Sequence, residues 1–214
     1  MTPKRVLALL AASIALPIIS MPAAALIATP FSDGFELDTP AGNQTTFTNW
    51  TVSAGAVDLV GTGAPHFLDC NGGNCVDLNG TTGTQGTLET SDVFGTGAIY
   101  NLAFDLSGSQ RGDGLNSVRI TFGDLDTIIT LDDTDPWDTY FFTVTVAGGS
   151  QQFLSFAATT LGAEIDNIGL LLDNISVTVV PIPAALWLLG SGLLGMIGLS
   201  RRRKAASIAE PITI

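Results

Sequence analysis

Carboxylates are the residues whose type and spacing come closest to a catalytic set in this sequence. The stretch "LDDTDPWD" places Asp132, Asp133, Asp135 and Asp138 within one short segment. Carboxylates this close could act as the acid and base of glycoside hydrolysis. Asp and Pro are also the residues that turns use for local hydrogen bonds, and we therefore interpret the segment as a turn.

His66 is the single histidine of the chain, so any Ser-His-Asp or Cys-His arrangement would have to be built on it. It lies between Pro65 and Phe67 in a glycine-rich loop, a position typical of a surface residue. No Gly-x-Ser-x-Gly motif occurs before the C-terminal apolar run. We predict that the protein is not an enzyme.

Sugar binding would require exposed aromatic rings close to carboxylates or amides. Trp137, which follows Pro136 in the polar turn, and Tyr140 are the candidates. Trp50 alternates with Val52 and is predicted to lie in the core. Aromatic residues are only 7% of the chain, which is few for a strong lectin.

Cys70 and Cys75 are the only cysteines and flank the loop "CNGGNC". A local disulfide is favoured over a metal site, because no second cysteine pair exists to complete a zinc tetrahedron. The two glycines allow so short a loop to close.

The charge of the central region, residues 26–180, is strongly negative. It holds 19 acidic residues against two basic ones, Arg111 and Arg119, for a formal charge of −17. This excludes nucleic acid as a partner, since nothing could neutralise its phosphates. Divalent cations and neutral polymers such as polysaccharide fit better. The alternative is an acidic coat that favours solubility.

Both ends of the chain are apolar. Residues 1–25 have the basic n-region, apolar core and A-x-A site of a secretory signal peptide; the core is too short for a comfortable membrane span. Residues 182–200 are uncharged and long enough to cross a bilayer as a helix, about 28 Å. A basic block follows directly, so the preceding domain should lie outside and residues 205–214 should form a cytoplasmic tail. A buried core helix is the alternative.

The region between these ends has the pattern of β-strands. Thr, Val, Ile and Phe alternate with small or polar residues, and Gly, Asn and Asp punctuate them. We predict a strand pair around Trp50–Val60 and hairpins turning at Gly123-Asp124 and Gly148-Gly149. About ten short strands predict an all-β fold, an antiparallel jelly-roll β-sandwich.

Five segments, in order, resemble a family of exported bacterial domains with a galactose-binding-like jelly roll related to carbohydrate-binding modules. They are "SDGFELDTP", "NWTVSAGAVDLVGT", "CVDLNGT", "YNLAFDLSG" and "AEIDNIGLLLDNISVT", and the likeness spans about residues 31–180. The cysteine pair in "HFLDCNGGNC" departs from that pattern. The resemblance implies a binding module.

The C-terminal segment "VPIPAALWLLGSGLLGMIGLSRRRK" resembles the PEP-CTERM sorting signal in its VPLPA-type form. The matching parts are Val180, Pro181, Ile182 and Pro183, an apolar helix over 182–200, and a basic stop formed by Arg201, Arg202, Arg203 and Lys204. Ile182 replaces the usual leucine or glutamate. The resemblance implies a Gram-negative host, processing by an exosortase in the inner membrane, and a link to exopolysaccharide or biofilm matrix.

In the resembled modules a structural calcium sits where the first strand meets the last. The matching residues here are Glu36, in "DGFE", and Asp173, in "LLDN", with backbone carbonyls completing the set. Glu36 could instead be a plain surface carboxylate. Asp173 could instead form an Asx-type turn or pair with Arg119.

These observations together predict an exported, membrane-anchored and then surface or matrix protein. Its expected partners are an exosortase-type enzyme, the inner membrane before processing, and extracellular polysaccharide. A purely structural or adhesive module without sugar specificity is the alternative.

Overall fold

The computed structural model describes residues 29–61, 68–149, 151–159 and 167–181. These ranges form β-strands and loops without a helix, and so contain no helix that could span a membrane. The strands are β1 Phe31–Asp33, β2 Ala41–Gln44, β3 Trp50–Ala54, β4 Val57–Gly61, β5 Asn74–Asp77, β6 Asn79–Gly80, β7 Thr84–Gln85, β8 Thr87–Thr90, β9 Ala98–Ser107, β10 Asn116–Gly123, β11 Leu125–Leu131, β12 Asp138–Val146, β13 Gln151–Thr159 and β14 Leu171–Val179.

Two antiparallel sheets form a β-sandwich, as predicted. One has the order β12-β9-β14-β5-β4-β2, with β1 also paired to β14, and the other has the order β11-β10-β13-β8-β3. Strands β6 and β7 form a separate two-stranded ribbon. The finer assignment to a jelly roll stays a prediction.

One of the three predicted strand pairs is correct. Strands β10 and β11 form the hairpin that turns at Gly123-Asp124. The other two predictions are wrong, because β3 and β4 lie in different sheets, as do β12 and β13. Strand alternation shows which face of a strand is apolar but not which sheet it joins, and in a sandwich both sheets turn an apolar face inward.

A single core fills the space between the sheets. Its large side chains are fully buried and come from both sheets; the aromatic ones are Phe35, Trp50, Phe94, Phe104, Phe122 and Phe156. Trp50 is in this core, as predicted, and its indole Nε1 donates a hydrogen bond of 2.9 Å to Asp33. This bond satisfies the only polar atom of the ring and fixes β1 against β3.

The sequence predictions for both chain ends fall outside the described residues. These are the signal peptide at 1–25, the helix at 182–200, the residues Ile182, Pro183 and Arg201–Arg203, and the tail at 205–214. His66 also lies outside them. Val180 and Pro181 are described. Val180 N donates to Ile99 O at 2.8 Å, and Pro181 follows as an exposed residue outside regular structure.

Candidate functional site

A second, smaller apolar cluster lies apart from the main core, and the cysteines are at its centre. Cys70 and Cys75 form the predicted disulfide, with Cα atoms 5.2 Å apart, and both are fully buried. Val60, Leu68 and Leu171 complete the cluster. Trp137 immediately precedes β12 and packs against this cluster. The disulfide therefore helps to build the support on which Trp137 rests.

The backbone of Asp69 is held from two sides. Gln110 accepts a hydrogen bond from Asp69 N at 2.8 Å and donates to Asp69 O at 3.0 Å. Trp137 Nε1 donates to the same carbonyl at 2.7 Å. The indole of Trp137 is thus fixed by packing on one side and by a hydrogen bond at its nitrogen, which lowers the entropy lost when a ligand stacks on it.

A cleft of about 410 Å³ opens beside Trp137. We call it the Trp137 cleft. It is lined by Asp69, Ser107, Gln110, Asp133, Thr134, Asp135, Pro136 and Trp137. An aromatic wall with carboxylates, an amide and hydroxyls around it is the composition that sugar-binding sites use, because sugars present both C–H faces and hydroxyl groups.

The predicted turn forms the acidic rim of this cleft. Asp135 accepts a hydrogen bond from Asp132 N at 2.8 Å, and Asp133 accepts one from Gly114 N at 3.2 Å. A hydrogen bond with the neighbouring Asp132 carboxyl raises the pKa of Asp133, with burial and the charges of Asp132 and Asp113 adding to the effect. The increase in the pKa of Asp133 is therefore caused largely by a residue of the same turn. The prediction that the protein is not an enzyme stays a prediction.

Tyr140 does not share this cleft. Its ring lies on the core side of β12, stacked on Phe104 with ring centroids 5.8 Å apart and an interplanar angle of 16°. The ring is half-buried, so a ligand would reach only part of it. A role for Tyr140 in carbohydrate binding stays a prediction.

Glu36 and Asp173 are brought to one region, together with two further carboxylates. We call Asp33, Glu36, Asp105 and Asp173 the carboxylate cluster. Asp173 pairs with Asp105 across β14 and β9, next to a bulge in β14. Asp173 is only 3% exposed, and burial raises its pKa to about 7, with the charges of Asp105, Glu36 and Asp33 adding to the increase.

The surrounding hydrogen bonds satisfy Asp105 and Asp33 more fully than Asp173. Asp105 accepts hydrogen bonds from Asn71, Thr139 and Asn174 side chains at 3.2, 2.6 and 3.0 Å. Asp173 accepts one from Asn174 N at 2.7 Å; this bond reaches only the next residue, whereas an Asx-type turn would use the N–H two residues on. Arg119 pairs with Asp126, not with Asp173.

The cluster fits a cation only if other oxygen atoms take part. Across the described ranges, no three His, Cys, Asp or Glu side chains converge closely enough to hold a metal ion. Asp173 Oδ1 and Asn174 Oδ1 both lie beside Gly34, since each would be 3.4 Å from a Cβ atom placed there. Carboxylate, amide and backbone oxygens are the ligands that calcium accepts, in numbers of six to eight.

The disulfide loop, residues 70–75, contacts both the cleft and the carboxylate cluster. Asn74 N donates to Glu36 at 2.7 Å, and Asn71 donates to Asp105. The carbonyl of Asp69, next to Cys70, accepts the bond from Trp137. Glu36 Oε1 lies so close to Gly73 that a Cβ there would be 1.8 Å away, so a larger residue at this position would displace the Glu36 carboxylate from Asn74 N.

One exposed aromatic residue was missed by the sequence reasoning. Phe141 is 76% exposed on the solvent-facing side of the seven-stranded sheet. With small side chains around it, it borders a shallow depression of about 400 Å³, which we call the outer face: Asn101, Ala103, Phe141, Thr143, Ser176 and Thr178. The signal was present in "TYFFT", because three consecutive aromatics in a strand cannot all face the core.

Comparisons with known proteins found similarity only at the level of solved structures. No protein-family profile and no curated protein matches the chain. The xylan-binding CBM22-1 domain of Xyn10C from Paenibacillus barcinonensis is 15% identical with a TM-score of 0.47, over 76% of this chain and 99% of that chain.

Two other solved structures are similar to this chain. A cleaved adhesin domain of Lys-gingipain from Porphyromonas gingivalis is 15% identical with a TM-score of 0.49, over 72% of this chain and 100% of that chain. The CBM6 of the laminarinase LamC from Zobellia galactanivorans is 15% identical with a TM-score of 0.38, over 70% of this chain and 99% of that chain. At such identity, function has to be argued from the surface of this chain.

Proposed function

We propose that this chain is a non-enzymatic module that binds extracellular polysaccharide in the Trp137 cleft. The observation that carries the proposal is the cleft itself. It combines a fixed indole with the amide of Gln110 and the hydroxyl of Thr134. A pyranose ring can stack its C–H face on the indole while its hydroxyls meet these polar groups.

The setting of the module is part of the same proposal. The signal peptide would direct export through the inner membrane, and the helix at 182–200 would hold the protein there. An exosortase-type enzyme would then process it for the cell surface or biofilm matrix. Support comes from Pro181, which lies just beyond β14, is exposed and has no regular structure. Proline disfavours helix and strand, so the segment that a processing enzyme would read begins in extended chain.

Calcium bound between Glu36 and Asp173 is proposed as a structural cofactor. Support comes from Asp173, a buried carboxylate with three acidic neighbours. A divalent cation would neutralise the repulsion between these carboxylates. It would also connect the segment after β1 with β14, and so strengthen a strand pairing that covers only three residues. Asp173 and Glu36 would hold the ion, with Asn174 and backbone carbonyls as further oxygen donors.

A glycan microarray of the full-length chain in detergent tests the proposed function. Trp137→Ala should lower binding at least tenfold, because it removes the stacking surface. Phe141→Ala is the matched control, since it removes an exposed aromatic ring from the other depression. Equal binding by wild type and Trp137→Ala would refute the cleft as the site.

The outer face supports a second candidate, an adhesive module without sugar specificity. A phenylalanine that is 76% exposed among small side chains on an open sheet face is a typical protein contact. In that case the array would show no glycan binding. Phe141→Ala, and not Trp137→Ala, would then reduce adhesion of cells that display the chain.

A further inference from the structure

The charged residues that line the Trp137 cleft are all acidic. Asp69, Asp133 and Asp135 line the cleft, and Asp113 and Asp132 lie close enough to act on the pKa of Asp133. The cleft therefore offers negative charge on several sides of the indole.

No positive charge in the described ranges balances these carboxylates. Arg111 and Arg119 are the basic residues there, and each is already paired. Arg111 Nη2 lies 2.8 Å from the fully buried carboxylate of Asp77, and Arg119 forms two hydrogen bonds to Asp126. A uronic acid in the cleft would consequently meet like charges without a counterion.

We propose that the Trp137 cleft selects polysaccharides that carry amino sugars with a free, protonated amine, and that it rejects polyuronates. This inference rests on the proposed function, whose ligand class it specifies. A glucosamine unit matches the exposed groups of the cleft. Its ring face stacks on Trp137, its hydroxyls meet Gln110 and Thr134, and its ammonium lies among the aspartates.

The chemistry of Trp137 favours such a ligand as well. The negative face of an indole attracts a cation in addition to the C–H groups of a sugar, and tryptophan is the strongest aromatic in this respect. A neutral glycan would use the indole but not the aspartates. A free amine would use both, and we expect it to bind about tenfold more tightly than the N-acetylated form.

The experiment is isothermal titration calorimetry of the full-length chain in detergent with four hexasaccharides. They are fully deacetylated glucosamine, N-acetylglucosamine, neutral β-1,4-glucose and galacturonate oligomers. The deacetylated hexamer should bind about tenfold more tightly than either neutral one at low salt. This advantage should disappear near 0.5 M salt, because the Debye length shrinks well below 10 Å. Galacturonate should not bind.

Two pairs of variants separate a local effect from the general acidity of the protein. Asp133→Asn with Asp135→Asn keeps acceptors for the hydrogen bonds from Gly114 N and Asp132 N, and should reduce the tenfold preference to less than threefold. Asp92→Asn with Asp124→Asn makes the same change of net charge elsewhere and should preserve the preference. Equal losses in both pairs would attribute the preference to bulk charge and overturn the proposal.

The remaining outcomes distinguish this inference from the proposed function. If the neutral hexamers bind as well as the deacetylated one, or if galacturonate binds, the selectivity is refuted while polysaccharide binding stands. If no hexasaccharide of any charge binds, both are refuted.

Discussion

Replacing Arg111 by methionine should destabilise the fold by an amount that increases with pH, because it removes the cation that faces a fully buried carboxylate. Asp77 is 0% exposed, and Arg111 Nη2 lies 2.8 Å from its Oδ2 without an aligned hydrogen bond. Arg111 also donates to Asn167 O at 3.1 Å. The residue thus connects the loop after β9, next to the Trp137 cleft, with the segment before β14.

The direction of the pH effect follows from the pKa of Asp77. Burial raises this pKa from 3.8 to about 7, although Arg111 and the hydrogen bond from Asn79 N lower it. Between those two pH values the folded chain keeps a proton that the unfolded chain has lost. The free energy of unfolding therefore falls as pH rises through this window, by roughly 4 kcal/mol at most for a shift of about three units.

The cost of Arg111→Met differs on the two sides of this window. At pH 5 Asp77 is protonated in the fold, and the variant loses mainly the hydrogen bond to Asn167, about 1 kcal/mol. At pH 8 it leaves a buried charge without its partner, which costs about 3–5 kcal/mol. Protonation of Asp77 at a still higher pKa would relieve part of that cost.

Urea unfolding at pH 5 and pH 8, followed by tryptophan fluorescence of the full-length chain in detergent, measures both values. Arg119→Met is the matched control, since it breaks an ion pair whose side chains are 51% and 55% exposed and should therefore change the stability little at either pH. Adding Asp77→Asn to Arg111→Met should recover most of the loss at pH 8. Equal costs for the two arginine variants at pH 8, or a cost for Arg111→Met that does not change with pH, would refute the reasoning.

Three further predictions concern the cofactor, the disulfide and processing. Calcium at about a hundred times its dissociation constant should raise the free energy of unfolding by about 2.7 kcal/mol, magnesium should do less, and Asp173→Ala should abolish the response; a melting temperature that is the same in chelator and in millimolar calcium would exclude the site. Replacing both Cys70 and Cys75 by serine should cost about 2 kcal/mol, because the closed loop is short, and should weaken glycan binding because Trp137 rests on the disulfide; two reactive thiols in periplasmic material would contradict the bond in the cell. Intact-mass spectrometry of the extracellular protein should show that residues 1–25 and 182–204 are absent, and recovery of the basic tail in the medium would argue against processing.

Those features of the strands that depend on neighbouring residues in the sequence were predictable. Alternation of apolar and polar residues identified the β-class, and the two-residue turn at Gly123-Asp124 fixed a hairpin because its geometry joins adjacent strands directly. The same alternation led to a wrong prediction at Gly148-Gly149, where we expected a hairpin between β12 and β13. Strands β12 and β13 both turn an apolar face to the core, and nothing in their own residues distinguishes pairing with each other from lying in opposite sheets.

The candidate site was predictable only in parts. Trp137 was chosen for its place in a polar turn, and the structure adds the groups that surround it, Gln110 and Ser107, which are distant in sequence from the turn. Phe141 could have been found from the strand period. Tyr140 was chosen instead because composition alone does not assign the two faces of β12 to core and solvent.

By itself the sequence determined the fold class, the burial of Trp50, the disulfide and the excess of negative charge, because strand period, side-chain polarity, close spacing of cysteines and charge are local or additive properties. Tertiary structure alone decided that the disulfide loop lies between the Trp137 cleft and the carboxylate cluster. That arrangement joins residues from β1, β5, β9, β12 and β14, and it follows from which strands pair within the seven-stranded sheet. Such pairing is set by packing of the whole core and by loop closure over long separations, for which no single segment carries the information.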